Sequence, residues 1–220
     1  MSETSQTGFF ISFEGSEGCG KSTQIRRLVD WLTAAGHEPI LVREPGGTPI
    51  GESIRHLLQH SEEGRAMTPE AEILLFAASR AQLVRQTILP ALAAGRVVIS
   101  DRFLDSTTVY QGVARKIPAE AVDRINRFAA GPRLPDVTFL LDMDSTEALS
   151  RVSRRASDKR DRMEEEPLAF YEAVRQGYLA CAAAEPERIR VLDATKSEDM
   201  IAEAITAILD SHALFAKSCA

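Results

Sequence analysis

Nine consecutive residues, Gly15-Ser16-Glu17-Gly18-Cys19-Gly20-Lys21-Ser22-Thr23, satisfy the spacing G-x-x-x-x-G-K-[ST]. Glycines at these positions allow backbone angles closed to other residues, so successive N–H groups can turn inward around a phosphate at the head of the next helix. The Lys21 ammonium then reaches the β- and γ-phosphates of a nucleoside triphosphate, and the Ser22 hydroxyl is placed to ligate Mg2+. A chance glycine-rich turn would lack the flanking elements, and both are present. Phe9 to Phe13 is an apolar run before the loop, and Ile25, Leu28, Val29 and Leu32 mark one face of a helix that halts at Gly36. Cys19 has no resolving cysteine near it and reads as a small filler side chain.

Phosphate loops serve several chemistries, and other residues separate them. A base-reading N-K-x-D segment is missing, since the one asparagine, Asn126, precedes Arg127. Motor and transport ATPases end the metal strand in Asp-Glu, whereas Val97 to Ser100 runs into Asp101-Arg102. An arginine at a strand's carboxyl end, facing the phosphate loop, suits a second phosphate acceptor and so a small-molecule kinase.

Five apolar runs read as buried strands: Phe9 to Phe13, Ile40 to Val42, Val97 to Ile99, Val137 to Leu141 and Ile189 to Leu192. Helical periods lie between them. Thr68-Pro69 opens a long helix running to Leu89, Asp144 with Glu147 opens another, and Ser197 opens the last, with Ile201, Ala204, Ile205 and Ile208 on its inner face. This alternation predicts an α/β fold, a five-stranded parallel sheet with helices on both faces and ligands at the carboxyl ends of its strands.

At 220 residues, 44% hydrophobic and 26% charged, the chain has the composition of one globular domain. A net charge of −6 gives no overall attraction to nucleic acid or to an anionic membrane, so anionic ligands must be held locally. Arginine dominates the basic residues, 21 against 5 lysines, and is the bidentate choice for phosphate. Three cysteines without a C-x-x-C pair, and no apolar run of membrane-spanning length, predict a cytoplasmic protein.

Three blocks in order, Phe13-Glu14-Gly15 through Thr23, Arg43-Glu44-Pro45-Gly46-Gly47-Thr48, and Asp101-Arg102-Phe103 with Ser106-Thr107 and Tyr110-Gln111-Gly112, resemble thymidylate kinase from about Phe9 to Leu209. The resemblance implies transfer of the γ-phosphoryl of ATP to dTMP with Mg2+, in a homodimer. It gives Arg102 the acceptor phosphate, Asp101 the vicinity of the metal, and Glu17 a place near the acceptor sugar and metal. It further implies a turn below the acceptor at Glu44 and Pro45, with a cis bond before Pro45, and a second basic contact to the acceptor phosphate from Arg55.

Phe76 and Arg80, four apart on one helix face, are assigned by resemblance to stacking on thymine and to its carbonyl edge. Periodicity alone puts Phe76 in an apolar stripe with Ile73 and Ala77. The resemblance also implies that Ser106 belongs to the acceptor motif, that Thr107 and Gln111 contact base or sugar, that Tyr110 crowds the sugar's 2′ position, and that Ala194 and Thr195, after the last strand, flank the adenine.

Members of this family supply a critical arginine from the phosphate loop or from a lid. The loop position holds Gly18, so the charge is expected from the arginine-rich stretch at about 151–166, with Arg155, Arg160 and Arg162 as candidates. The expected layout is one kinase domain over 1–220, with a flexible start at 1–8 and a tail at 210–220. Two other readings remain: a different nucleotide or nucleoside kinase, which shares the donor chemistry and differs in its acceptor, and a nucleotide-sensing module, which would keep Gly15 to Ser22 but need not keep Arg80, Arg102 and a basic lid together.

Overall fold

The computed structural model describes residues 8–154, 162, 163, 165–212, 214 and 215. Five strands, β1 (Phe9–Glu14), β2 (Ile40–Arg43), β3 (Val97–Asp101), β4 (Val137–Asp142) and β5 (Ile189–Asp193), form a parallel sheet in the order β2-β3-β1-β4-β5. Each runs one or two residues past its apolar run. The last residue of each strand, Glu14, Arg43, Asp101, Asp142 or Asp193, is charged and stands at the carboxyl rim. The ladder continues there because backbone pairing does not depend on side-chain polarity, as in the registers Arg43↔Asp101 and Asp142↔Asp193.

Helices cover both faces. They are α1 (Lys21–Ala34), α2 (Pro49–Gln59), α3 (Pro69–Leu83), α4 (Leu89–Ala93), α5 (Leu104–Thr107), α6 (Ala119–Ala130), α7 (Ser145–Ser153), α8 (Leu168–Ala184) and α9 (Glu198–Asp210). Strand alternation sorts the core: Phe9, Ile11 and Phe13 pack with Ile25 and Leu28 of α1 and Ile201 and Ile205 of α9, while Phe10 turns to Leu83, Ile88 and Phe103 on the other face. Caps fix the helix starts. Thr48 Oγ1 accepts from Gly51 N at 2.9 Å, Thr68 Oγ1 from Ala71 N at 3.3 Å and Asp144 Oδ1 from Thr146 N at 2.9 Å.

The long helix from Pro69 differs from expectation in its interior. After α3 the chain makes a π-helical turn over Val84–Ile88 before α4, which extends the run to Ala93. A second π-helical stretch, Thr108–Ala114, continues α5. Of the expected tail, 210–212, 214 and 215 are described; Asp210 ends α9, and Phe215 docks, with its ring centroid 5.0 Å from that of Phe9 and 5.5 Å from that of His37. Of the expected lid, 155–161 and 164 lie outside the described residues, which include neither Arg155 nor Arg160. Residues 1–7 lie outside them too. No helix among the described residues is long and apolar enough to cross a membrane.

Candidate active site

The loop between β1 and α1 curls as its glycines permit. Gly15 (φ 133°) and Gly18 (φ 81°) lie in the left-handed region, and a Cβ on them would stand 2.5 Å from Leu141 O and 2.3 Å from Ala148 O. The loop is therefore pressed against the end of β4 and against α7. Lys21 Nζ lies inside the curl, donating to Gly15 O at 2.9 Å and Ser16 O at 2.8 Å, and Cys19 is buried beneath it.

Across from the loop, Arg102 follows β3 with φ 70°, a left-handed conformation rare for a side-chain-bearing residue. Two bonds hold it there: its N–H donates to Phe13 O at 2.9 Å and its carbonyl accepts from Ser100 Oγ at 2.6 Å. The guanidinium faces the loop. Its Nη2 donates to Glu17 Oε1 at 2.5 Å, its Nη1 to Ser106 Oγ at 3.1 Å and Tyr178 OH at 3.2 Å, and its plane lies over the Tyr110 ring. Tyr110 OH donates to Glu17 Oε2 at 2.8 Å. Burial pushes the Glu17 carboxyl up, but Arg102, Lys21 and the Tyr110 hydroxyl outweigh it and hold the carboxyl below its usual range.

Behind Arg102 sits Glu14, fully buried at the end of β1. Its Oε1 accepts from Phe103 N at 2.7 Å, and its Oε2 from Ser106 Oγ at 2.6 Å and Tyr178 OH at 2.7 Å. Burial, with the charge of Asp105, raises this carboxyl to about 7 despite Arg102 and the two hydroxyls.

All the residues assigned to the acceptor line one cavity of about 340 Å3: Glu17, Glu44, Pro45, Arg55, Phe76, Arg80, Arg102, Ser106, Thr107, Tyr110 and Gln111. Lys21, Ser22 and Asp101 line the same cavity. Phe76 is half-buried against the cavity rather than sealed in the core with Ile73 and Ala77. Arg80 is buried and anchored by Glu44 (Nε to Oε2, 2.7 Å), Asn126 Oδ1 (2.9 Å) and Thr107 Oγ1 (2.9 Å). Desolvation raises the Glu44 carboxyl in spite of that arginine, and its Oε1 accepts no hydrogen bond among the described residues. The Glu44–Pro45 bond is cis, and Arg55 Nη1 donates to Pro45 O at 3.0 Å.

At the other end, Ala194 is buried and Thr195 exposed. Arg151 Nη1 donates to Ala194 O at 3.3 Å, and Asp193 Oδ1 accepts from Thr195 N and Oγ1. Arg162 points away from solvent onto α2 and α3: its Nε donates to Leu58 O at 2.9 Å and its Nη2 to Glu72 Oε2 at 2.5 Å. Thr23 lies in the first turn of α1, its N–H donating to Gly20 O at 3.1 Å.

Sequence reasoning overlooked Glu14, Glu72, Gln59, Met163, Asn126 and Tyr178. Glu14 stood inside a quoted motif and was detectable as a charge ending an apolar strand. The others lie far apart in the chain and meet only in the fold.

Comparison with known proteins shows what the chain as a whole is similar to. The sequence model of the thymidylate kinase family matches residues 13–205. A thymidylate kinase of Geobacter sulfurreducens is 45% identical over 206 residues, covering 92% of this chain and 96% of the relative. One of Syntrophotalea carbinolica is 47% identical over 201 residues, 90% of this chain and 93% of the relative. The crystal structure of thymidylate kinase from Ehrlichia chaffeensis superposes with a TM-score of 0.74 at 31% identity, over 92% of this chain and 98% of that one.

Proposed function

The chain belongs to the thymidylate kinase family, and on that premise we propose how its residues divide the reaction. The activity is ATP-dependent phosphotransfer to dTMP, giving dTDP and ADP in the synthesis of dTTP. We assign the triphosphate to the loop Gly15 to Thr23, with Ala194 and Thr195 beside the adenine. The dTMP then fills the cavity between Phe76 and Arg80, at the base, and Arg102, at the phosphate. One observation supports this most: the Arg102 guanidinium is 2.5 Å from the loop's own Glu17, so the acceptor's phosphate handle and the donor's cradle share one end of the cavity.

Phosphoryl transfer asks the protein for alignment and positive charge. Arg102 is built to stay charged and aimed. Glu17, Ser106 and Tyr178 fix its fork, and its pKa stands well above the ordinary value because Tyr110 and Glu17 outweigh burial. Lys21 brings its ammonium to the donor's phosphates. The Ser22 hydroxyl and Asp101 carboxylate line the same cavity, and this hard-oxygen pair fits Mg2+, which takes few protein ligands beside water and phosphate oxygens. When bound there, Mg2+ would neutralise phosphate charge. The remaining charge is assigned to the arginine-rich stretch, with Arg155, Arg160 and Arg162 as candidates, of which Arg162 donates to Glu72. We further propose one domain, a cytoplasmic location and a homodimer. Leu74 of α3 and Phe128 of α6, exposed apolar side chains on packed helices, support the last.

The test compares dTMP, dUMP, dCMP, AMP and thymidine as acceptors in a coupled assay and follows dTMP binding by calorimetry. The assignment expects dTMP to lead and Phe76→Ala to raise its KM. An unchanged KM in that variant would remove dTMP from this cavity.

A further inference from the structure

Glu72 is a carboxylate with no place in the reaction above, yet it is buried one turn before Phe76 on α3 and collects three donor side chains from two segments. Its Oε1 accepts from Gln111 Nε2 at 2.8 Å and from Arg115 Nε at 3.2 Å, and its Oε2 accepts from Arg162 Nη2 at 2.5 Å. Burial pushes this carboxyl up, but Gln111, Arg115 and Arg162 together hold it below its usual range, so it stays ionised. An ionised carboxylate only accepts, so the Gln111 amide must turn its nitrogen toward Glu72. Gln111 lines the acceptor cavity, and the end it then offers a ligand is its carbonyl oxygen. The same carboxylate seats the segment at Arg162, whose backbone N–H donates to Gln59 O at 3.2 Å. The next residue, Met163, is buried against the cavity, with its carbonyl accepting from Tyr171 OH at 2.6 Å.

We propose that Glu72 is a positioning residue of the acceptor cavity: it locks the Gln111 amide carbonyl-inward and seats Met163 there, so that the cavity selects a pyrimidine carrying a ring N–H. This rests on the assignment of dTMP to that cavity. Thymine and uracil carry a hydrogen on N3, which an amide carbonyl can accept; neutral cytosine has a lone pair there and would meet the carbonyl oxygen as a repelling acceptor. A fixed polar group left facing the wrong partner is a stronger discriminator than a missing methyl group. Charge on Glu72 thereby becomes base selectivity two residues removed from the base.

The experiment measures kcat and KM for dTMP and for 5-methyl-dCMP, which keeps the methyl group and lacks the N3 hydrogen. Glu72→Gln is expected to lower the selectivity ratio roughly 10-fold, chiefly through a higher KM for dTMP, with KM for ATP unchanged. In a Gln111→Met background the same substitution should change the ratio little, because the route runs through Gln111. A Glu72→Gln enzyme that keeps wild-type selectivity and loses only thermal stability would overturn the proposal. Should that variant not fold, Gln111→Met alone must lower the ratio, with the contribution of Arg80 at the carbonyl edge remaining; if it does not, the proposal fails. An unaltered dTMP KM in Phe76→Ala would instead sink the cavity assignment beneath it.

Discussion

Arg102 concentrates the site's chemistry and its strain. A left-handed backbone at a non-glycine residue costs about 1–3 kcal/mol and persists only where its surroundings impose it; here Phe13 O and Ser100 Oγ do so. Replacing Arg102 or Lys21 by Ala should lower kcat/KM by roughly a thousandfold or more, with the circular dichroism spectrum unchanged; near-normal turnover in a coupled assay would remove their roles. Glu14 makes a separate, pH-dependent prediction. Its carboxyl ionises near 4.5 when exposed and at about 7 in the fold, so the folded chain holds the extra proton between those values. The stability this contributes is complete below about 4.5 and is lost as pH rises through about 7. Glu14→Gln cannot titrate, so its stability relative to wild type should climb across that window in urea titrations; a pH-independent difference would contradict the raised value.

Among the elements, the phosphate loop depends on α7 as much as on its own sequence. Gly18 lies against Ala148 O with φ 81°, so Gly18→Ala adds a Cβ that the α7 backbone cannot clear. That substitution should raise the KM for ATP roughly 10-fold or more, since strain of this kind costs a few kcal/mol, while calorimetric dTMP affinity stays within about twofold of wild type. The π-helical stretch Thr108–Ala114 plays the matching part for the acceptor. Its wide turns bury Val109, Tyr110 and Gln111 in succession, two of them on the cavity.

For the whole molecule, the exposed Leu74 and Phe128, at 57% and 83% exposure, predict association through α3 and α6. Sedimentation equilibrium should return twice the 24.1 kDa chain mass, and Leu74→Glu combined with Phe128→Glu should return one copy; a wild-type monomer would refute the dimer. At this scale the division between sequence and fold is plain. Apolar runs such as Phe9 to Phe13 and caps such as Thr68 and Asp144 determined the strands and helix starts, because periodicity and capping are local. The phosphate loop was legible for the same reason, being nine contiguous residues whose glycines permit the backbone angles that β4 and α7 then press on it. The order of the strands, the π-turns, the aim of Arg102 and the partners of Glu14 and Glu72 were decided only by tertiary structure. Gln111, Arg115 and Arg162 reach one carboxylate from up to 90 residues away, and burial of that charge is stable only once all three have arrived.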